Sequence, residues 1–503
     1  MFHLAAPSSM LTARTASILP RRNLCSRTLL AVQRRAYTSA SQSGQTVTSS
    51  TYLKWGGLGA LTLLGSGAYV SSSSSQGEKG PPKAAASEHI PTIHQLASED
   101  DIVVRSPIKA LSLKEADEKL RESARTFIFD SKDGAKGRID VVCLPSNHPK
   151  EDDWSVGTAK GIGGAATVYA GVYDGHVGWA MSTILREALI PYVSTALDRL
   201  SSTNSEEAVV AAIKTAFTKL DDRAMNMGTE VAEKLGAGSA EAVAALAPAF
   251  AGSCALLTIY DPIASVLRTA VAGDSRAVLG YRSATSDDFQ MEQLSLDQTG
   301  LNKTEAEKIA NEHPGEKELI LDPKSGRLLG MAVTRSFGDS RWKWPLELLQ
   351  TLRESHPGNV PRPNYKTPPY MTAEPEVTTR VVSADDFVIL ASDGLWDHIS
   401  SEDAVKCVSR WLQARKANKP EALPPTQGAM EVSKMGWSYW SSTPENFVIE
   451  DLDNASVCLV KNAFGGARRE LFRTVMTVRE PASRYFRDDV TVQVIFFKDP
   501  YRK

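Results

Sequence analysis

Three aspartates, far apart in the chain, each stand where an apolar run that reads as a β-strand begins or ends. Asp174 follows residues 167–173 and opens Asp174-Gly175-His176. Asp393 follows residues 387–392 and opens Asp393-Gly394-Leu395-Trp396-Asp397. Asp488 and Asp489 come just before the run 490–497. In an antiparallel sheet the end of one strand lies beside the start of its neighbour, so these carboxylates can converge on one sheet edge. Two like charges about 4 Å apart repel by about 4 kcal/mol at an effective dielectric of about 20. Such a group takes up protons or binds cations. Hard oxygen ligands point to magnesium or manganese. Singly, each site has a plainer reading. An Asp-Gly after a strand is a turn. Asp274, in Gly273-Asp274-Ser275-Arg276, is then a hairpin tip, and Asp488-Asp489 a solvated strand entry.

The elements that must position these residues begin at about Ile102. Residues 254–260 and 265–272, around Asp261-Pro262, form a hairpin pattern. Residues 179–200 and 206–225 read as two helices joined by the turn 201–205. Thr304-Glu305-Ala306-Glu307 has the form of a capping box for a further helix. Another helix runs from about Ser401 to Ala417. Hairpins interrupted by helix pairs argue for an α+β fold. Residues 416–450, Pro-rich and then carrying Trp437 and Trp440, read as a surface excursion whose aromatics pin the loop to its own domain or bind a ligand.

The chain is 503 residues long, 42% hydrophobic and 23% charged, which suits a globular body. Its net charge of −2 hides an asymmetry: residues 1–77 hold Arg14, Arg21, Arg22, Arg27, Arg34, Arg35 and Lys54 and no acid. The acidic remainder does not fit a nucleic-acid binder. The five cysteines include no CxxC pair, so neither a zinc site nor a disulfide framework is indicated. Cys254 and Cys458 lie in apolar runs and read as buried thiols. Residues 1–37 have the Arg-, Ser- and Ala-rich composition of a mitochondrial transit peptide, against the plainer reading of a basic tail. Residues 55–70, uncharged and holding five glycines, read as a short inner-membrane anchor or as an apolar part of the targeting region. An anchor would leave the body in the matrix or in the intermembrane space. Residues 71–100 read as a flexible linker.

The joint order of the motifs resembles that of the metal-dependent (PPM, type 2C) Ser/Thr protein phosphatases. The residues that carry the resemblance are Asp174-Gly175-His176, Gly252-Ser253-Cys254-Ala255, Gly273-Asp274-Ser275-Arg276, Thr334-Arg335-Ser336-Phe337-Gly338-Asp339, Ser392-Asp393-Gly394-Leu395-Trp396-Asp397 and Arg487-Asp488-Asp489-Val490. They span roughly residues 120–497. Trp342-Lys343-Trp344-Pro345 and Met371-Thr372-Ala373-Glu374-Pro375 add likeness to the mitochondrial pyruvate dehydrogenase phosphatase branch. The resemblance implies two packed antiparallel β-sheets flanked by pairs of antiparallel helices. It also implies two Mg²⁺ or Mn²⁺ ions and a weaker third. By motif matching, Asp174 is the bridging ligand, Gly175 ligates through its carbonyl, and Asp393 and Asp488 hold the second ion. Glu151 and Asp152 match the acidic pair that orders bound water, and Asp274 and Asp397 match the third-ion positions.

The implied reaction is hydrolysis of phosphoserine or phosphothreonine on a phosphoprotein by a metal-activated water, the E1α subunit of the pyruvate dehydrogenase complex being the leading substrate. His176 resembles the general acid for the departing alkoxide, with a water-orienting role as the alternative. The chain departs from the family where an Arg usually binds substrate phosphate: that position is Asn147, with Arg138 as a remote substitute. Val177 stands where a Gly usually follows the His. The competing readings are a catalytically silent phosphatase fold acting as an anchored binding protein, and a hydrolase of small phosphorylated metabolites.

Overall fold

The computed structural model describes residues 107–131, 134–283, 288–355, 360–423 and 440–501. The expected transit peptide, the run 55–70, the linker 71–100 and Trp437 lie outside the described residues. Among the described residues no helix is long and apolar enough to cross a membrane.

Two antiparallel sheets form the centre. The first has six strands in the spatial order Arg125–Asp130, Lys136–Leu144, Val490–Phe496, Phe387–Ala391, Arg276–Arg282 and Phe289–Gln293. The second has five, in the order Glu376–Val381, Val266–Ala272, Ala255–Asp261, Ala166–Tyr173 and Asp153–Lys160. Side chains alternate across each strand. Val388 and Leu390 pack inward with Val168, Ala170 and Val172 of the facing sheet. Phe387, Ile389 and Ala391 point outward into a cluster with Trp411, Leu459 and Phe472 from helices Ser401–Ala417, Ala455–Ala463 and Arg469–Thr477. Tyr169, Leu257 and Ala270 face outward from the second sheet onto helices Ala180–Asp198 and Glu206–Leu235. Both faces of both sheets are therefore covered. This is why the strands read as near-continuous apolar runs and not as simple alternation. The expected α+β fold, two packed antiparallel sheets between helix pairs, is what the chain forms.

Register brings the strand ends together. Leu144 pairs with Val490, Ala391 with both Val492 and Arg276, Tyr173 with Asp153, and Ala255 with Ala272. The segments holding Asp152, Asp174, Asp274, Asp393 and Asp488 all leave their sheets at this one edge. A buried bond ties the two sheets near it: Gln493 donates from Nε2 to the Gly171 carbonyl at 2.8 Å.

Three local expectations change. The helix expected to end at Met225 continues to Leu235. It passes through Gly228 because helix Ala240–Phe250 crosses there; a Cβ at Gly228 would lie 2.8 Å from the Ala245 carbonyl oxygen. The helix near residue 304 starts two residues earlier than the capping-box motif implies. Asn302 caps helix Lys303–Glu312 by accepting from Thr304 N at 3.0 Å. Glu305 is freed for burial, where it accepts from Arg335 Nη2 at 2.5 Å, Arg335 Nε at 3.0 Å and Thr334 Oγ1 at 2.7 Å. The stretch 416–450 is not all surface: Trp440, Phe447, Val448 and Ile449 are buried. Trp440 stacks on His398 with ring centroids 4.0 Å apart and donates from Nε1 to the Ala463 carbonyl at 2.9 Å.

Removing Glu305 takes the closest, buried carboxylate from Arg335 and leaves it only the more exposed Glu376 at 3.3 Å. Glu305→Ala is expected to lower unfolding free energy by about 3 kcal/mol, measured by urea denaturation. A loss below about 1 kcal/mol would show that the pair is solvated in practice.

Candidate metal centre

Asp174, Asp274 and Asp393 meet at the shared edge. Each offers one carboxylate oxygen, and these oxygens lie within 4.8 Å of one another. Asp174 follows strand Ala166–Tyr173, and its carbonyl accepts from Cys254 N at 2.8 Å. Asp274 sits in the turn between Val266–Ala272 and Arg276–Arg282, which is closed by Gly273 N donating to Gln298 Oε1 at 2.8 Å. Gly273 has φ +126°, a conformation that side chains rarely adopt. Asp393 is the first residue of the short helix Asp393–Trp396. Gly394 lets that helix abut the neighbouring strand entry: a Cβ there would lie 2.0 Å from the Asp489 carbonyl oxygen.

The trio is under electrostatic pressure. Burial first, then the charges of Asp393, Asp152 and Asp274, push the Asp174 carboxyl well above its ordinary value. Burial and Asp393 push Asp274 up to about 7. Burial also raises Asp393. Asp393 Oδ1 is buried and has no hydrogen-bond partner among the described residues. An orphaned carboxylate oxygen within a repelling cluster fits a divalent cation with hard-oxygen preference.

The residues around the trio divide sharply. Asp152 accepts on Oδ2 from Ser392 Oγ and Thr491 Oγ1, both at 2.8 Å. Burial and the charge of Asp489 raise it to about 8. Asp489 resists the same burial because backbone amides surround it: Glu151 N at 2.7 Å, Asp152 N at 3.0 Å, Asn147 N at 3.3 Å, and Ser146 N. Its carboxyl is held below the usual range. Asp488 does not join the 4.8 Å trio; its carboxylate pairs with Arg484 and accepts from Asp489 N at 2.7 Å. Arg484 also pulls the Asp393 carboxyl downward. Asp397 N bonds the Asp393 carbonyl at 2.9 Å, which puts Asp397 at the end of the same short helix.

Gly175 and His176 form one strand of a small ribbon with Gly252–Ser253 and Phe337–Gly338. A Cβ on Gly175 would lie 2.2 Å from the Glu151 carbonyl oxygen, so the close approach of these two segments needs glycine. The ribbon delivers Asp339, a residue given no role by the sequence reading. Its Oδ2 lies 2.7 Å from His176 Nε2, and Ser336 Oγ donates to the same oxygen at 2.6 Å. Burial opposes a charged imidazole, but the Asp339 carboxylate outweighs it and raises the His176 pKa. Only membership of the Ser336-Phe337-Gly338-Asp339 motif marked Asp339 in the sequence, since the pair is 163 positions apart.

Glu151 accepts from Gly178 N at 2.6 Å and from Asn147 Nδ2 at 3.0 Å. These residues, with Pro149, Trp179 and Pro481, line a cavity of about 400 Å³ beside the carboxylates. Arg138 is excluded as a phosphate ligand. It lies on strand Lys136–Leu144 opposite Phe496, away from the metal edge. It is committed to Asp140 Oδ1 at 2.8 Å and to the Asp453 carbonyl at 2.6 Å. Val177 has φ +57° and is 74% exposed, so the residue in the usual glycine position stays in a glycine-like conformation.

Without divalent ions, the raised carboxyls give a defined pH dependence. Their folded pKa values exceed the unfolded ones, so their stability contribution is present below the unfolded values and is lost as pH rises through the folded ones. His176, also raised, acts in the same direction. In chelator the Tm is expected to fall progressively between about pH 5 and pH 8.5, and added Mg²⁺ should reverse that fall most strongly at the alkaline end. A Tm that rises over that interval in chelator would contradict the crowding.

The model of the family "Protein phosphatase 2C" matches residues 159–434. A protein phosphatase 2C homolog from Schizosaccharomyces pombe is 36% identical over 76% of this chain and 84% of its own length. The mitochondrial pyruvate dehydrogenase (acetyl-transferring) phosphatase 1 of Saccharomyces cerevisiae is 33% identical over 72% of this chain and 69% of its own. The human protein of the same name is 29% identical over 70% and 76%. With its carboxylates gathered at the sheet edge, a family model matching residues 159–434 and a relative 36% identical over 76% of its length, the chain belongs to the metal-dependent protein phosphatase 2C family of serine/threonine phosphatases.

Proposed function

We propose that this phosphatase acts in mitochondria on phosphoserine or phosphothreonine of the pyruvate dehydrogenase E1α subunit. The observation that carries this reading is the similarity to mitochondrial pyruvate dehydrogenase phosphatases across most of both chains. The composition of residues 1–37 agrees with a mitochondrial destination.

In this reading Asp174, the Gly175 carbonyl, Asp393 and Asp488 hold two Mg²⁺ or Mn²⁺ ions, and Asp274 and Asp397 hold a third. Bound there, the ions supply an acidified water and neutralise phosphoryl charge. The protein residues do the rest. Glu151 and Asp152 orient water through their free lone pairs. Asp152 is itself fixed by the hydroxyls of Ser392 and Thr491. Asn147, held by Glu151 through one amide hydrogen, retains a second as a neutral donor to the substrate phosphate. His176 donates Nε2–H to Asp339, which leaves Nδ1–H as the proton it can give to the leaving serine oxygen. The Asp339 carboxylate keeps that proton on the ring near neutral pH.

Two measurements test this assignment. Phosphate release from a phosphoserine peptide of E1α should require Mg²⁺ or Mn²⁺, stop in chelator, and fall by roughly 10²-fold or more in Asp174→Asn. Activity that survives chelation would sink the metal roles, and a failure to act on E1α peptides while other phosphoserine peptides are hydrolysed would sink the substrate. His176→Ala should cost about 10²-fold on phosphoserine and far less on p-nitrophenyl phosphate, whose leaving group needs no proton. Equal losses on both substrates would leave His176 a water-orienting residue.

A further inference from the structure

Arg341 and Arg362 come from different segments and close on one indole. The Arg362 guanidinium carbon lies 4.4 Å from the Trp342 ring centroid and that of Arg341 lies 5.8 Å from it. Trp342 is rigidly placed: it is 3% exposed, and its Nε1 donates to the Leu328 carbonyl at 3.1 Å. Both arginines are half-buried. The Nε of each is buried and without a hydrogen-bond partner among the described residues. Arg341 donates from Nη2 to the Val360 carbonyl at 2.8 Å, a neutral acceptor. Among the described residues no carboxylate forms an ion pair with either guanidinium. Residues 356–359, between the two, contain no acid.

Two guanidiniums held together on one face, with no ion-paired carboxylate among the described residues, are costly for the free protein. Burial depresses both side chains' pKa values, and Arg341 depresses that of Arg362 further. The one carboxylate that opposes this is Asp339, through its charge on both. Asp339 is the residue that holds His176. The two cations therefore lie within electrostatic reach of the catalytic edge. Stacked guanidiniums keep their planar donor fork pre-organised for an oxyanion.

We propose that Arg341 and Arg362, braced on Trp342, form a subsite for an anionic side chain of the phosphopeptide substrate, a carboxylate or a second phosphate flanking the phosphoserine. The proposal rests on the protein-phosphatase reading of the metal centre. It also answers the family position occupied by Asn147: in this proposal the positive charge missing there is supplied by Arg341 and Arg362, which read the sequence around the phosphoserine. Salt weakens such a contact, so the preference it creates is strongest at low ionic strength.

The test compares kcat/KM of the purified full chain, with Mn²⁺, on phosphoserine peptides that differ only in Glu, phosphoserine or Gln at the flanking positions. The wild type is expected to favour the acidic and doubly phosphorylated peptides over the Gln peptide by about tenfold at low salt. The double variant Arg341→Met/Arg362→Met, whose thioethers can still cover Trp342, should bring that ratio close to one. Arg362→Glu should turn the preference toward a Lys-flanked peptide. Thermal melts confirm that each variant is folded. If only the doubly phosphorylated peptide is preferred, the subsite reads phosphate; if both are, it reads negative charge. Equal wild-type rates on all peptides, or an acidic preference that survives in the double variant, would overturn the subsite and leave the phosphatase reading intact. Wild-type hydrolysis of p-nitrophenyl phosphate with none of any phosphopeptide would overturn both.

Discussion

Mutual repulsion among carboxylates at one sheet edge is the constraint around which the molecule is organised. Asp174, Asp274 and Asp393 place oxygens within 4.8 Å of one another while being largely removed from water. Nothing in the local sequence favours that arrangement; it raises every carboxyl involved. It persists because each aspartate hangs from a strand end whose register is set elsewhere. The pairs Leu144–Val490, Ala391–Val492 and Tyr173–Asp153 are stabilised by apolar burial along the whole strands, not at the site. The sandwich core thus holds together charges that would separate if the segments were free, and a divalent ion relieves what the core imposes.

The surrounding groups divide the burden by a simple physical rule. A buried carboxylate that receives several backbone amides is held below its ordinary pKa; one that receives two hydroxyls among like charges is pushed above it. Asp489 and Asp152 are neighbours that illustrate both cases. The amides around Asp489 come from residues 146–152, so this carboxylate also organises the loop that presents Asn147, Glu151 and Asp152. His176 and Asp339, 2.7 Å apart, form a pair in which each favours the ionised form of the other. An imidazole whose protonated form is favoured by Asp339 is the feature on which the proposed proton donation to the leaving oxygen rests.

Much of this was legible from residue order. The strands that carry Asp174 and Asp393, the helix that ends at Ala417 and the hairpin around Asp261 lie within a residue or two of their expected positions, since short-range burial patterns encode them. The failures share a cause. The helix expected to end at Met225 continues to Leu235, passing through Gly228 where a crossing helix needs the space a side chain would fill. Thr304 reads as the N-cap of a capping box, yet Asn302 caps the helix and the box's intervening Glu305 is buried against Arg335 thirty residues on. Arg138 is a plausible phosphate ligand in one dimension and sits opposite Phe496 in three.

The sequence by itself determined which segments are strands and helices, which carboxylates stand at strand ends, and the motif order that marks the family. Those features depend on side-chain periodicity and on local turn chemistry, which act over a few residues. Only the tertiary structure decided the partners: Asp274 within the trio, Asp488 beside Arg484, Asp339 on His176, and two arginines on Trp342. Such pairings join residues up to hundreds of positions apart. They follow from sheet register and close packing, and no periodicity in the chain records which distant side chain the packing will bring near.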